Sequence, residues 1–193
     1  MKSRRYTGAA RARAAEATGE RILQAAFARF SVDYYDQVTL DDIASAAGVT
    51  VQTVLRRFGS KENLVRVLTG SRATAVTAER DEAVAGDVAG AIANLVDHYE
   101  ALGDLDMLLL RQEERVPPFA EITASGKEYH SRWIERVFTP WLDGRDGDAR
   151  RRLLAQLAST CDVYVWYLLR RQHGLSREQT ELALIEMVRG TLD

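Results

Sequence analysis

Residues 50–57 concentrate side chains that can hydrogen-bond to the edges of nucleic-acid bases and to phosphates. The candidates are Thr50, Val51, Gln52, Thr53, Leu55, Arg56 and Arg57. Gln, Thr and Arg reach donors and acceptors in the DNA major groove, and Val or a Thr methyl can contact the thymine methyl group. The same residues are also compatible with two packed core helices joined by a glycine turn, so their interpretation depends on the elements that hold them.

The sequence holds few residues with the spacing that catalysis or metal binding requires. Its three histidines, His98, His130 and His173, belong to neither an HExxH nor a Glu-x-x-His pattern, and no GxSxG, GxGxxG or phosphate-binding loop is present. We therefore expect no enzymatic activity, no catalytic residues, no metal site and no cofactor. The single cysteine, Cys161, lies on an apolar helix, where we expect a buried small hydrophobic residue rather than a redox sensor.

The elements that hold residues 50–57 are predicted to be helices. Apolar residues recur three or four positions apart along almost the whole chain, which predicts an all-α fold of nine helices without a convincing strand. Thr39 is a good N-cap for the second helix, Gly48 ends it, and Thr50 caps a third helix that runs to about Phe58. Residues 39–58 are therefore predicted to form a helix-turn-helix, the unit that places its second helix in the DNA major groove.

The last two predicted helices are apolar on more than one face. Residues 163–167 have a strand-like composition, but they lie inside an unbroken helical pattern and are predicted to be helical. Such wide apolar helices need cover on more than one side, and we expect them to form a dimer interface; the alternative is simple burial within the chain. Its predicted residues are Leu157, Tyr164, Leu168, Leu182, Ile185 and Val188.

Charge is divided unevenly along the chain. The formal net charge is −2, yet residues 1–66 carry 11 basic and seven acidic side chains, and all five charges among the first 15 residues are positive. This distribution suggests that the N-terminal part meets a polyanion, with Arg4 and Arg5 in a basic arm at residues 1–19, part of which could be helical. One cysteine, no apolar leader and no run of about 20 apolar residues predict a cytoplasmic protein without a membrane segment.

Four sequence blocks, in order and at the expected spacing, resemble the tetracycline-repressor (TetR) family of one-component regulators. They are ERILQAA at 20–26, VTLDDIA at 38–44, AGVT at 47–50 and FGSKENL at 58–64. The resemblance covers about residues 20–68. It implies a nine-helix fold, a homodimer formed through the last two helices, and an effector pocket within helices five to eight. It also implies a DNA-binding domain at residues 20–66, an effector-binding and dimerisation domain at 67–193, and release of the operator when the effector binds.

The resemblance also assigns roles to single residues of the first domain. The backbone amides at Thr39 and Thr50 would meet phosphates, as would the Lys61 side chain in the first turn of helix four. The family usually has Leu-Tyr near the end of its recognition helix, with the tyrosine on a phosphate. This chain has Val54-Leu55 there, so that contact is missing and Arg56 or Arg57 is left to replace it. Arg4 and Arg5 could enter a minor groove or add nonspecific affinity.

Aromatic residues with scattered polar groups on helices five to eight suggest a ligand site. The candidates are Tyr99, Met107, Leu110, Phe119, Tyr129, His130, Trp133, Asp162, Trp166 and Tyr167. Apolar sites with a few polar groups bind small organic ligands, although any one of these residues could simply fill the core. We expect a mid-sized, largely apolar or aromatic effector, and expect that replacing Trp133 or Trp166 by Ala weakens the effector response while operator affinity stays within a few-fold.

Together these observations predict a homodimeric transcriptional regulator, a repressor, that binds a palindromic double-stranded operator. Two alternatives stay open. The first is a DNA-binding regulator of the same fold without a small-molecule effector. The second is a helical ligand carrier whose helix-turn-helix is purely structural. DNA binding separates the carrier from both regulators, and a ligand screen separates the two regulators from each other.

Overall fold

The fold is built from helices joined by short turns. The structure, a computed structural model, describes the backbone of residues 3–193 and the side chains of residues 11–71 and 76–193. The α-helices are α1 (Ser3–Phe30), α2 (Leu40–Ala47), α3 (Val51–Phe58), α4 (Lys61–Asp81), α5 (Val88–Leu110), α6 (Pro117–Val137), α7 (Thr139–Leu142), α8 (Gly147–Thr160), α9 (Val163–Tyr167) and α10 (Arg177–Leu192). A 3-10 turn covers Tyr35–Gln37, and a π-helical segment, Leu168–Gln172, continues α9.

The predicted all-α class is confirmed. Over residues 3–193 there is no strand, and nine helices are longer than the single four-residue turn α7. In the same range no helix is long and apolar enough to cross a membrane. The chain divides into two compact units, residues 1–71 and 72–193, and α4 contributes residues to both.

The N-terminal unit packs α1 against α2 and α2 against α3. Its core is built from the apolar stripe of each helix and from the segment before α2. These buried residues are Ile22, Ala26, Phe30, Tyr35, Val38, Ile43, Ala44, Ala47, Val54, Phe58, Leu64, Val65 and Leu68. Burial of one face of every helix leaves the opposite faces of α2 and α3 at the surface.

The C-terminal unit packs α5 against α6, α9 and α10, and α8 against α6 and α10. Three arginines from the π segment and α10 form ion pairs with acidic residues spaced along α5. The pairs are Arg177 with Asp97, Arg170 with Glu100, and Arg171 with Asp104. The acids are three and four positions apart, which places them on one face of α5. These pairs hold the C-terminal end of the chain against that face.

The helical pattern around residues 163–167, predicted to be unbroken, is interrupted just before them. α8 ends at Thr160, and Asp162 has an extended backbone and caps α9 by accepting a hydrogen bond from the Tyr164 amide at 2.9 Å. An aspartate that bonds the backbone two residues on competes with helix continuation, which explains the break. The prediction that residues 163–167 are helical is confirmed. Cys161, at the break, is fully buried, and burial raises the pKa of its thiol to about 12.

Close approach of α9 to α5 depends on a glycine. Gly103 lies under the Trp166 ring, and a Cβ at position 103 would be only 2.4 Å from that ring. The indole Nε1 of Trp166 donates to Glu100 at 3.1 Å, one turn earlier on α5. A helix surface without a side chain at position 103 therefore lets the largest side chain of α9 be fully buried.

Candidate nucleic-acid interface and ligand site

A tight turn joins α2 to α3. Gly48 has a left-handed backbone (φ 64°), a conformation that residues with a Cβ adopt only at a cost in energy. Thr39 caps α2 in a reciprocal capping box: its hydroxyl accepts from the Asp42 amide, and the Asp42 carboxylate accepts from the Thr39 amide. The Thr39 hydroxyl also donates to the Asp42 carboxylate, and this bond, followed by the one from the Thr39 amide, holds the pKa of the Asp42 carboxyl below its usual range. Thr50 caps α3 by accepting from the Thr53 amide. The predicted N-caps at Thr39 and Thr50 are confirmed.

One side of α3 is buried and the other is exposed to solvent. Val54 and Phe58 enter the core, whereas Gln52, Leu55, Arg56 and Arg57 are exposed, Leu55 by 41%. Val51 and Thr53 are half-buried, and the hydroxyls of Thr50 and Thr53 lie 3.0 Å apart, so each restricts the other. The exposed surface of α3 is thus polar and basic around one apolar residue, the composition expected of a helix that contacts both bases and phosphates.

Arg57 is directed toward α1 rather than away from the unit. Its guanidinium lies over Gly19, so close that a Cβ there would be 2.2 Å from the Arg57 Nε. Sequence patterns give no sign of this contact, because it joins two helices through a residue without a side chain. Arg56 shows no such contact and is the freer of the two arginines. The side chains of Arg4 and Arg5, expected to contact DNA, lie outside the described residues.

Lys61 is held by the backbone that precedes α2. Its Nζ donates to the carbonyl oxygens of Tyr35 and Val38, both at 2.8 Å, and lies 3.9 Å from the centre of the Tyr35 ring. Partial burial lowers the pKa of the ammonium group. An ammonium group has three donors, so one remains for a phosphate. The predicted phosphate contact of Lys61 stays a prediction, but the structure gives this residue a second role in fixing the segment that leads to Thr39.

Replacing Lys61 with Met is therefore expected to lower the free energy of unfolding by about 1.5–3 kcal/mol, because two charge-assisted hydrogen bonds are lost and two carbonyls lose their partner. Urea denaturation followed by circular dichroism measures this. Lys127→Met is the matched control: its surface ion pair with Glu113 should contribute under about 1 kcal/mol. Equal stability of both variants would mean that the Lys61 bonds contribute nothing beyond a surface pair.

Comparison with known proteins identifies this N-terminal arrangement. The sequence model of the family described as bacterial regulatory proteins, tetR family, matches residues 22–68, which include α2, α3 and the start of α4. Residues 22–68 therefore form a tetR-family N-terminal domain. No curated protein matches the sequence.

Likeness of fold to solved structures extends over about nine tenths of the chain. A transcriptional regulator from Rhodococcus sp. RHA1 matches with a TM-score of 0.71 at 19% identity, over 90% of this chain and 95% of the other. A TetR transcription regulator from Haloarcula marismortui matches with a TM-score of 0.67 at 18% identity, over 91% and 96%. At these identities the likeness concerns the fold. The family whose model matches residues 22–68 consists of bacterial regulatory proteins, and both of these structures are described as transcription regulators.

Most of the predicted ligand residues meet in the core of the C-terminal unit. Tyr99, Met107, Trp133 and Trp166 belong to one buried apolar cluster, and Leu110, Tyr129 and Tyr167 pack against it. The rings of Tyr99 and Trp166 are 5.9 Å apart. Phe119 is buried but lies outside this cluster, and Asp162 is occupied as the cap of α9. Burial raises the pKa of the Asp162 carboxyl.

A buried arginine, absent from the sequence-based prediction, stands beside three of the predicted ligand residues. Arg80, near the end of α4, is 4% exposed. Its guanidinium lies 4.6 Å from the Trp133 ring and 5.4 Å from the Tyr129 ring, and its Nη2 is 3.3 Å from Nδ1 of His130. The sequence holds no signal for this burial, because an arginine in the last turn of a helix is usually exposed and favoured by the helix dipole.

His130 is neutral in this setting. Burial and the Arg80 charge lower the pKa of its imidazole to about 4. Because a guanidinium can only donate, Nδ1 accepts from Arg80, and the proton on Nε2 is donated to the Ala158 carbonyl at 3.3 Å. Tyr129 has its own partners: its hydroxyl donates to Asp81 at 2.9 Å, and burial raises its pKa to about 12.

A separate cavity of about 380 Å³ lies at another place in the C-terminal unit. Its lining residues are Gly86, Asp87, Val88, Ala89, Trp141, Arg189, Leu192 and Asp193. None of them is a predicted ligand residue. The predicted site and this cavity are therefore different features of the unit.

The predicted dimer residues separate into two groups. Leu157, Ile185 and Val188 lie in the core of the chain itself, where a second chain could not reach them. Helical spacing identifies apolar faces but not what covers each face, and in these three cases the chain's own core does so. Tyr164, Leu168 and Leu182 are exposed by 48%, 43% and 59%, and Met187, not predicted, by 43%.

Proposed function

We propose that this chain is a homodimeric TetR-family repressor that acts in the cytoplasm, binds a palindromic operator through α3 and leaves it when a small, largely apolar or aromatic effector binds. The observation that carries the DNA-binding part is the exposed polar and basic face of α3, which follows the capped turn around Gly48. In a helix-turn-helix, the second helix presents such a face to base edges in the major groove.

The exposed apolar side chains of α9, the π segment and α10 support the proposed dimer. Tyr164, Leu168, Leu182 and Met187 are large and at least 43% exposed. Large apolar residues exposed on the surface favour a protein contact, and in a symmetric pair both chains use the same residues. Two copies of α3 about 34–36 Å apart would then read the two half-sites of a palindrome.

Footprinting on the DNA upstream of the chain's own gene tests the proposal. We expect protection of two half-sites about one helical turn apart, together with an operator affinity that falls steeply as salt is raised. Protection of one unpaired half-site by a monomer would contradict the dimer. Absence of any preference for this DNA over random DNA would favour a ligand carrier instead.

Sequence preference is expected to rest on Gln52, with Thr50 and Thr53 beside it. Replacing Gln52 with Ala removes an exposed amide that can form two hydrogen bonds with one base. The binding free energy should therefore weaken by about 1–3 kcal/mol, and the preference for one base at that operator position should relax. Binding to a set of operators with single-base changes measures this. Gln156→Ala, an exposed glutamine on α8, is the matched control. Equal loss on all operators would place Gln52 on the phosphates.

A further inference from the structure

Arg80 is the only buried charged side chain among residues whose side chains the structure describes. Other arginines of the C-terminal unit, Arg136, Arg170, Arg171 and Arg177, each pair with an aspartate or glutamate. Within the described side chains no carboxylate forms an ion pair with Arg80. The side chains that the structure does not describe, at residues 1–10 and 72–75, include no acidic residue. The chain itself therefore supplies no anion to this guanidinium.

The groups around Arg80 compensate its charge only in part. The faces of Trp133 and Tyr129 attract a cation, and His130 accepts one hydrogen bond. The Nε of Arg80 is buried without a hydrogen-bond partner. Asp81, the next residue, accepts from Tyr129 and Arg136 instead. A charge removed from water is costly unless it is paired and its donors are satisfied, so an anion is the missing component of this cluster.

The cluster is close to the surface despite the burial of the guanidinium. Two of the three rings that contact Arg80, those of Tyr129 and His130, are only half-buried. A ligand reaches Arg80 only when one of these side chains moves. His130 is neutral and adds no second charge, so one negative charge is sufficient. The planar fork of a guanidinium matches a carboxylate in a bidentate geometry, and the surrounding rings suit an apolar body.

We propose that Arg80 binds the carboxylate of a small organic acid whose apolar or aromatic body lies against Tyr129, His130 and Trp133. The role of the bound acid as effector rests on the proposed function, but anion binding can be measured without DNA. Binding at Arg80 also narrows the effector from any apolar molecule to an apolar monoanion.

Isothermal titration calorimetry of the full chain at constant ionic strength tests the site. The probes are benzoate and octanoate, each compared with its neutral amide, and inorganic phosphate. We expect at least one carboxylate to bind tenfold more tightly than its amide and more tightly than phosphate. If neither carboxylate binds more tightly than its amide, or if phosphate binds most tightly of all the probes, the proposal is overturned.

Arg80→Met and Arg80→Lys locate the site. Both variants should weaken binding of the carboxylate at least tenfold. The lysine keeps the positive charge but lacks the bidentate fork of the guanidinium. Arg80→Lys therefore still tests the site if Arg80→Met fails to fold. Arg171→Met is the matched control, since Arg171 also lies over a tryptophan, 4.7 Å from the Trp166 ring, but is paired with Asp104. Binding unchanged in both Arg80 variants, or lost equally in the control, would contradict the assignment.

Operator affinity separates the two proposals. If the carboxylate binds at Arg80 but leaves operator affinity unchanged, the anion site stands and its effector role fails. If the chain binds its operator but no carboxylate, the regulator stands and the anion site fails.

Discussion

Replacing Trp133 with Ala is expected to lower the free energy of unfolding by about 3–5 kcal/mol, the usual cost of removing a large aromatic side chain from a core. Trp133 is 1% exposed, and its ring packs between Phe138 and His130. Its Nε1 donates to the Arg80 carbonyl at 3.0 Å, and its face covers the Arg80 guanidinium. The variant loses buried area, a hydrogen bond and the cover of a buried charge together.

Urea denaturation with matched variants checks this expectation. Trp133→Phe keeps an aromatic face but loses the Nε1 bond, so it should be destabilised by only about 1–2 kcal/mol. Trp141→Ala removes a half-buried tryptophan and should be milder than Trp133→Ala. A Trp133→Ala variant within 1 kcal/mol of the wild type would mean that the cluster around Arg80 is not part of the cooperative core.

The expected loss of stability changes how the ligand site can be tested. The sequence alone suggested that Trp133 or Trp166 could be truncated while operator affinity stays within a few-fold. Both side chains are fully buried. Because domains are stable by only about 5–15 kcal/mol, either alanine variant is expected to lose a large part of its free energy of unfolding. Substitutions at Arg80 test the ligand with less damage to packing, because they remove a charge that has no carboxylate partner.

The helix-turn-helix is the part of the molecule that sequence predicts best. Its caps at Thr39 and Thr50, its turn at Gly48 and the buried positions of α3 depend on residues that are close in sequence. Local rules for caps and turns apply there directly. The residues expected to contact DNA are largely exposed on α3, and their contacts with DNA stay predictions.

Contacts between distant residues account for what the sequence did not predict. Lys61 bonds carbonyls 23 and 26 residues away, and Arg80 meets His130 from 50 residues away. Burial of Leu157, Ile185 and Val188 likewise depends on which apolar face turns toward the chain's own core. Helical periodicity identifies such faces but gives neither their partners nor the depth at which an arginine is placed.

Acid is expected to destabilise the chain through His130. Its pKa is about 4 in the folded chain, lowered by burial and by Arg80, against about 6.5 when unfolded. Above pH 6.5 both states are neutral there. Between pH 6.5 and 4 the unfolded state binds more protons, so the free energy of unfolding falls as pH falls, by about 3 kcal/mol at most.

His130→Gln removes this titration and tests its size. Carboxyls whose pKa is lowered on folding, such as those of Asp42 and Glu113, also make the free energy of unfolding fall in acid, but this contribution is the same in both proteins. The difference between wild type and His130→Gln should therefore change by about 3 kcal/mol between pH 7 and pH 4, because only the wild type must protonate a buried imidazole beside a guanidinium. His173→Gln, at an exposed histidine, should reproduce the wild-type curve. Parallel curves for wild type and His130→Gln would mean that the pKa of His130 is the same in the folded and unfolded chain, and that Arg80 is less enclosed than its surroundings indicate.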